Sequence, residues 1–552
     1  MKTAPLLKAT IIALACAGVV SADGGRDRDR DKPIPLTVPK AKCGPNDHPE
    51  TALQGQVPAA LRAAGFQGFN CNLELVGQTK GDGANWQTTQ FKQKVRGHHE
   101  DDEDDGRQGG HDKDDGHDND GEHSAKTRVC GYHGTASPKL SLPNRKNLGV
   151  RALDLTDPQD PTITAYLTTV SMLDPWESLK VNERRQLLAA DNAQDGGFGN
   201  GGPEVDIYDL SQDCRHPQLL ASAPVGTGAD GGLVHKVIGH EGSWAPDGLT
   251  YYGGDLNAAQ YYAVDTTDPS RPKLLSTWTP GIANVHGLSI SDDGKRGYVV
   301  ILGFGAGLTD PNVPATNGLQ IYDLTDIQAR KPNPQAKLVS TLLWKDGSGA
   351  QHTIPVRIKG KPYVIHVDEA GSGGFASVAQ NAAACAAGMT PFPMARIIDI
   401  SDEKKPKIVS RLMLEIHDPA NCSKTSPDIV GLTTFTYGTH YCSVDNKKNA
   451  TTLACGMFNS GVRVFDIRDP LRPKEIAYFN PPGTTVQSPG SNHNRTGGWV
   501  AGGPDWCSAQ VHLDAKRGLL WTTCQDNGVV VLKFRKGVWP FEESSTPPGQ
   551  QN

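Results

Sequence analysis

The sequence predicts an all-β fold, a β-propeller of seven four-stranded blades, on three observations. A strand that ends in an aspartate turn recurs along the chain at intervals of 55 to 76 residues. The stretches between copies hold further alternating strands separated by Gly, Pro, Asn and Asp. The composition, 62 Gly and 39 Pro with 6% aromatics in 552 residues, is that of a turn-rich chain of short elements.

The N-terminus comes first. Lys2 and Lys8 precede an apolar stretch from Ala9 to Val20, and Val20-Ser21-Ala22 is a small-residue cleavage site, so residues 1–22 are expected to be a signal peptide. The apolar run is shorter than the ~20 residues a membrane span needs. Residues 23–42, with an Arg-Asp alternation from Arg26 to Asp31, read as a linker, residues 43–540 as the propeller and 541–552 as a flexible tail. The expected compartment is extracellular or periplasmic. Ten cysteines follow the leader, with no CxxC or CxxxH cluster, and an even count in an exported chain favours disulfides over a zinc site. Cys442 with Cys455 and Cys507 with Cys524 each lie on consecutive predicted strands and are expected to pair. Cys71 with Cys130 is a third candidate pair.

The segment from Gly97 to His123 has its own character. It carries twelve Asp or Glu and five His against Arg107 and Lys113, a net −10 in a chain whose total is −6, leaving +4 for everything else. Such a run cannot bury apolar area and is expected to be a disordered insertion in the first blade. Its chemical reading is weak capture of divalent cations, calcium included, because residues 112–122 place carboxylates at alternate positions. That run lacks the Gly and Glu spacing of an EF-hand, so a solvated spacer is the plainer reading. With the acidity confined there, nothing in the body suggests a nucleic-acid partner.

The repeat itself reads Val150-Arg-Ala-Leu-Asp154, Val205-Asp-Ile-Tyr-Asp209, Tyr261-Tyr-Ala-Val-Asp265, Leu319-Gln-Ile-Tyr-Asp323, Ala395-Arg-Ile-Ile-Asp399 and Val462-Arg-Val-Phe-Asp466. Gly528 to Phe534 is a degenerate seventh copy. Alternating apolar residues make a half-buried strand, and the terminal Asp, followed three residues on by Asp-Pro in several copies, forms the turn. Upstream hairpins such as Gly287–Gly294 with Gly297–Ile301 complete four strands per period, and radial repetition of such blades is a propeller. The copies resemble the LVIVD repeat of secreted and cell-surface propellers, over roughly residues 140 to 535. The resemblance implies a fold and an exported location. It implies no reaction, since a propeller is a scaffold for many activities.

Three Gly-rich insertions interrupt the blades: Gly303 to Asn317, Gly371 to Thr390, and Ser488 to Gly503 with its polar run from Ser491 to Asn494. Cys385, in the second, is a candidate partner for Cys422. No strand-loop-helix context surrounds these glycines, which excludes a phosphate cradle.

The candidate site rests on histidines. His240, His286 and His352 each lie eight residues before a turn glycine, at Gly248, Gly294 and Gly360. His440 holds a similar place ahead of the turn at Asp445, and His512 marks the last blade near Gln510. If register is preserved, these side chains start the inner strands of successive blades and converge on the channel axis as a site for copper, iron or zinc. Glu241 beside His240 is the candidate second carboxylate or proton acceptor. Each histidine equally has a structural reading, a hydrogen bond to the neighbouring blade. His235, His366 and His417 stand outside the register and are read as structural. Selenium-binding proteins, which include methanethiol oxidases, are propellers with comparable channel histidines, but their Cys-Cys-Pro-Gly type of segment is absent and the similarity is architectural. G-x-S-x-G and HExxH signatures are absent too.

Two functions follow. The primary reading is an extracellular binding scaffold that presents loops to a protein, glycan or small molecule. The alternative is a metal-dependent enzyme, an oxidoreductase, built on the channel histidines.

Overall fold

The computed structural model describes residues 36–95, 126–135, 148–193, 204–223, 237–304, 306–375, 377–432, 435–493 and 499–541. The expected signal peptide, the first part of the linker, the 97–123 segment with its calcium reading, His235, and the tail after residue 541 lie outside the described residues.

Seven antiparallel sheets of four or five strands form seven blades. Every copy of the repeat is the third strand of its blade: Val150–Asp154, Val205–Asp209, Gln260–Asp265, Asn317–Asp323, Ala395–Asp399, Gly461–Asp466 and Gly528–Phe534. The terminal Asp acts the same way in all six regular copies. Its Oδ1 accepts the backbone N–H two residues on, at 2.8–3.0 Å, in an Asx turn that redirects the chain into the fourth strand. A bulge interrupts each of those third-to-fourth strand pairings and adds to the twist of the blade edge.

Alternation along the third strand buries both of its faces. In blade one Val150 and Ala152 pack against Leu188 and Tyr208 of blade two, while Leu153 turns the other way onto Trp521 and Val531 of blade seven. A separate apolar cluster fills each of the seven interfaces between neighbouring blades, blade seven against blade one included. Each fully buried Val, Leu or Ile in them contributes about 2 kcal/mol. The arginine at the second repeat position is buried as well and meets carboxylates, Arg151 with Asp82 at 3.0 Å and Arg463 with Glu50 and Glu475 at 2.7 and 2.9 Å.

The ring closes through its N-terminus. Leu73–Thr79 pairs with Gly528–Phe534 as the outer strand of blade seven, and Phe69–Cys71 adds a fifth strand outside blade six. This accounts for the degenerate seventh copy, because its outer strand, Leu73–Thr79, comes from the N-terminal side and no Asp turn has to lead into it.

Five disulfides join Cys43–Cys71, Cys130–Cys214, Cys385–Cys422, Cys442–Cys455 and Cys507–Cys524. The expected Cys71–Cys130 pair is corrected. Cys71 sits on the fifth strand of blade six and Cys130 on the second strand of blade one, so blade seven stands between them. Five disulfides fit an oxidising compartment. Among the described residues no helix is long and apolar enough to cross a membrane.

Candidate metal centre

The inner strands of the blades begin near the axis, and the residues just before them supply the site. In blade two the chain runs through Trp176 and Glu177 into the strand Lys180–Asn182; in blade three His240 leads into Glu241–Trp244. Glu177 N–H donates to the His240 carbonyl at 3.1 Å, which ties the two entrances together. His286 precedes the inner strand Leu288–Ile290 of blade four, and His440 that of blade six, Tyr441–Val444.

These residues meet. Glu177 Oε2 lies 3.5 Å from His240 Nε2 and 3.3 Å from His286 Nε2, and Glu177 Oε1 lies 3.0 Å from His440 Nε2. Glu369, at the end of the second strand of blade five, reaches His286 Nε2 at 3.8 Å and His440 Nε2 at 3.6 Å. Glu241 Oε2 is 3.3 Å from His286 Nδ1. All six side chains are buried.

The hydrogen bonds at the far side of two rings set their tautomers. His286 Nδ1 is 3.0 Å from the Gln351 carbonyl and His440 Nδ1 is 2.9 Å from the Ser508 carbonyl. A carbonyl only accepts, so each Nδ1 carries a hydrogen and each Nε2 is the ring atom that faces the centre. Gln351 Nε2 stands 3.1 Å from His440 Nε2. Glu177 Oε2 has no hydrogen-bond partner. His286 Nε2 and this oxygen face each other at 3.3 Å in a buried space, a contact that a proton on the ring or a cation shared between the two would satisfy.

Burial and mutual charge divide the carboxylates. Burial pushes Glu177 up, but His286, His440 and His240 outweigh it and hold this carboxyl below its usual range. Burial, with Glu177 adding and Lys180 opposing, pushes Glu241 up to about 8. Glu369 is raised well above its usual value by burial and by the charges of Glu177 and Glu241. Burial takes His286 down to about 4, against the pull of Glu177. Lys180, whose Nζ is 4.0 Å from Glu241 Oε1, is lowered by burial against the opposing pull of Glu241 and Glu177.

Of the histidines singled out in the sequence, the structure brings His240, His286 and His440 together and leaves His352 and His512 apart. The blade-five inner strand, Ser348–Ile358, turns through only two residues, where the hairpins of blades three and four use six, so counting back from Gly360 misses the register. A bulge between Ala350 and His352 then leaves Gln351 at the centre. His352 Nε2 instead meets the backbone of Cys442 at 3.3 Å, and its ring stacks on Tyr441. His512 lies inside the blade-seven strand His512–Asp514, with Nε2 2.9 Å from Thr88 Oγ1 and its ring on Trp521. His366 and His417 are buried and bonded to the Gly318 and Pro393 carbonyls. Glu177 and Glu369 carry no repeat signature and were not singled out.

A second buried cluster joins His493, Asp505 and Asp526. His493 Nδ1 lies 3.1 Å from Asp526 Oδ2 and 3.5 Å from Asp505 Oδ1. The chain has claimed most of this site: Asp505 accepts the N–H groups of Trp506, Asp526 and Asn527, and Asp526 Oδ1 accepts Ser488 N–H at 2.8 Å, while Asp526 Oδ2 meets His493 Nδ1 and His493 Nε2 has no hydrogen-bond partner.

No family model matches this chain, and no curated protein matches it. In fold it is similar to a Bacteroides uniformis protein provisionally assigned as a 6-phosphogluconolactonase, at 11% identity and a TM-score of 0.46, covering 76% of this chain and 95% of that one. It is similar as well to Kuenenia stuttgartiensis hydrazine synthase, at 13% identity and a TM-score of 0.43, covering 74% and 93%. Likeness at this level says nothing about reaction or ligand.

Proposed function

We propose that this chain is an exported LVIVD-type propeller that holds one divalent transition-metal ion on its axis and uses it as a metal-dependent enzyme. Glu177, His240 and His286 are the ligands in this reading, with His440 and Glu369 beside them. One observation carries it: the unpartnered, buried Glu177 Oε2 faces the imidazole Nε2 atoms of His240 and His286 at 3.5 and 3.3 Å. Donors each about 2.1 Å from one tetrahedral ion stand about 3.4 Å apart, which supports a shared ion at this place. Backbone carbonyls behind His286 and His440 are the usual outer partners of metal-bound imidazoles. Imidazole with carboxylate, and no free thiolate among the described residues, favours iron or zinc over copper(I). Two histidines and one carboxylate leave coordination positions for a substrate, which favours an enzyme over a structural site and an oxidoreductase where the ion is iron.

Elemental mass spectrometry of the purified full chain tests the reading. One equivalent of metal should be present and should disappear in the His240→Ala/His286→Ala variant. Comparing the two proteins cancels whatever the acidic 97–123 segment retains. Equal metal content in both, with both folded by circular dichroism, rejects the centre and leaves the extracellular scaffold as the function.

A further inference from the structure

The axial cluster has two sides, and they differ in kind. Along blade two the chain passes Trp176, Glu177 and Lys180 in that order, the last opening the inner strand. Trp176 belongs to an aromatic layer with Trp86, Phe458 and Trp506, all buried, onto which Phe435 packs. The layer lies against the cluster itself: Trp176 is 5.7 Å from the His240 ring, and Trp86 and Phe458 are each 5.2 Å from the His440 ring. Trp176 and Phe435 hold backbone φ values of 47° and 52°, a left-handed conformation that bulky residues rarely adopt and that persists where packing enforces it. On this side the centre is sealed by rings among the described residues.

Lys180 differs from the cluster in exposure. It keeps 23% of its side-chain surface exposed, whereas no side chain of the cluster exceeds 8%. Its Nζ lies 4.0 Å from Glu241 Oε1 and 5.7 Å from the centre of the Tyr441 ring, so the ammonium is held between a carboxylate and an aromatic face. Glu241 in turn touches His286 Nδ1 at 3.3 Å, which puts Lys180 one carboxylate away from the proposed ligands. Lys447 is near enough for its charge to act on Lys180. Other polar side chains on the inner strands include Ser289 and Thr353, hydroxyl to hydroxyl at 2.7 Å.

We infer that the centre is reached from the Lys180 side and that its substrate is a small carboxylate, whose anionic group Lys180 binds while the rest of the molecule meets the ion. The inference rests on the metal reading above and names its substrate class. The grounds are the aromatic layer against the cluster, the partial exposure of Lys180, and the 4.0 Å between its ammonium and Glu241, its one ion pair among the described residues, a distance that leaves its donors available. Lys180 is a binding residue in this scheme, and no bond to it is formed.

The test uses the full chain and acetate as the probe. Metal content is measured first, in wild type and in Lys180→Met. Acetate is then titrated with each protein while broadening of its methyl resonance is followed by NMR, with Lys180→Arg as the charge-retaining control. The expected result is equal metal in all three proteins, acetate binding weakened about tenfold or more in Lys180→Met, and binding close to wild type in Lys180→Arg. Unchanged acetate binding in Lys180→Met overturns the inference and leaves the metal centre standing. No acetate binding by wild type overturns it too. Lys180-dependent acetate binding by proteins that hold no metal upholds the anion site and rejects the metal reading, so the two failures are separate.

Discussion

The axial cluster and the His493–Asp505–Asp526 cluster are built from the same side-chain types and are buried alike. They differ in what the backbone has already claimed. Asp505 accepts three backbone N–H groups and the Asn527 side chain, and Asp526 accepts Ser488 N–H on one oxygen and meets His493 with the other, so each carboxylate oxygen has a partner in a network that fastens the 488–493 segment to the 525–527 turn. In the axial cluster the Nδ1 atoms of His286 and His440 are held by backbone carbonyls, and Glu177 Oε2 is left without a hydrogen bond at the centre. Composition and burial alone do not separate the two. The direction in which the hydrogen bonds run does, because a buried acceptor without a donor is costly and its cost is removed by a cation.

That difference can be broken by experiment. The largest expected effect is on metal. Glu177→Gln should weaken binding at least about 100-fold, more than loss of an outer partner does, while His493→Ala should leave metal content unchanged. Metal lost in His493→Ala and kept in Glu177→Gln would reverse the assignment of the two clusters. Next comes stability. Asp505→Ala strips acceptors from several buried N–H groups and should cost about 3 kcal/mol in denaturant unfolding with the metal retained. A wild-type unfolding midpoint in that variant would show the network to be dispensable.

A smaller effect belongs to Glu241, which touches His286 from behind. Glu241→Gln should weaken metal binding by about tenfold and leave the melting temperature nearly unchanged. The smallest effect is a pH dependence beside the axial site. Burial raises Asp191, which accepts the Tyr262 hydroxyl, to about 7. A carboxyl raised above its unfolded value of about 3.9 contributes stability that is full below that value and is lost as pH rises through 7. The melting temperature of wild type should therefore fall by roughly 2 °C relative to Asp191→Asn between pH 5 and pH 8. A constant difference across that range would place the Asp191 proton elsewhere.

Much of the fold was legible because it repeats. Six Asp turns of one geometry follow six strands of one pattern, so the third strand of each blade was visible before any packing was known. His240 and His286 were legible for the same reason, since equal hairpins of six turn residues carry them to the same height. His352 broke the rule where blade five shortens its turn and inserts a bulge. Glu177 and Glu369 were invisible, one just before an inner strand with no turn glycine to count from, the other at the end of a second strand.

The sequence by itself determined the repeating unit: strand periodicity and turn chemistry are local, set by residues within a few positions of one another. It also determined the pairing of Cys442 with Cys455, which face each other in one hairpin, and of Cys507 with Cys524, where Cys507 lies just ahead of the inner strand that pairs with the strand ending at Cys524. Only the tertiary structure decided the closure of the ring by Leu73–Thr79, the pairing of Cys71 and Cys130 with Cys43 and Cys214, and the company of Glu177. These depend on which blade neighbours which and on how far each inner strand reaches toward the axis. Residues as far apart as Glu177 and His440 are brought to 3.0 Å by closure of the ring, and no local pattern encodes that distance.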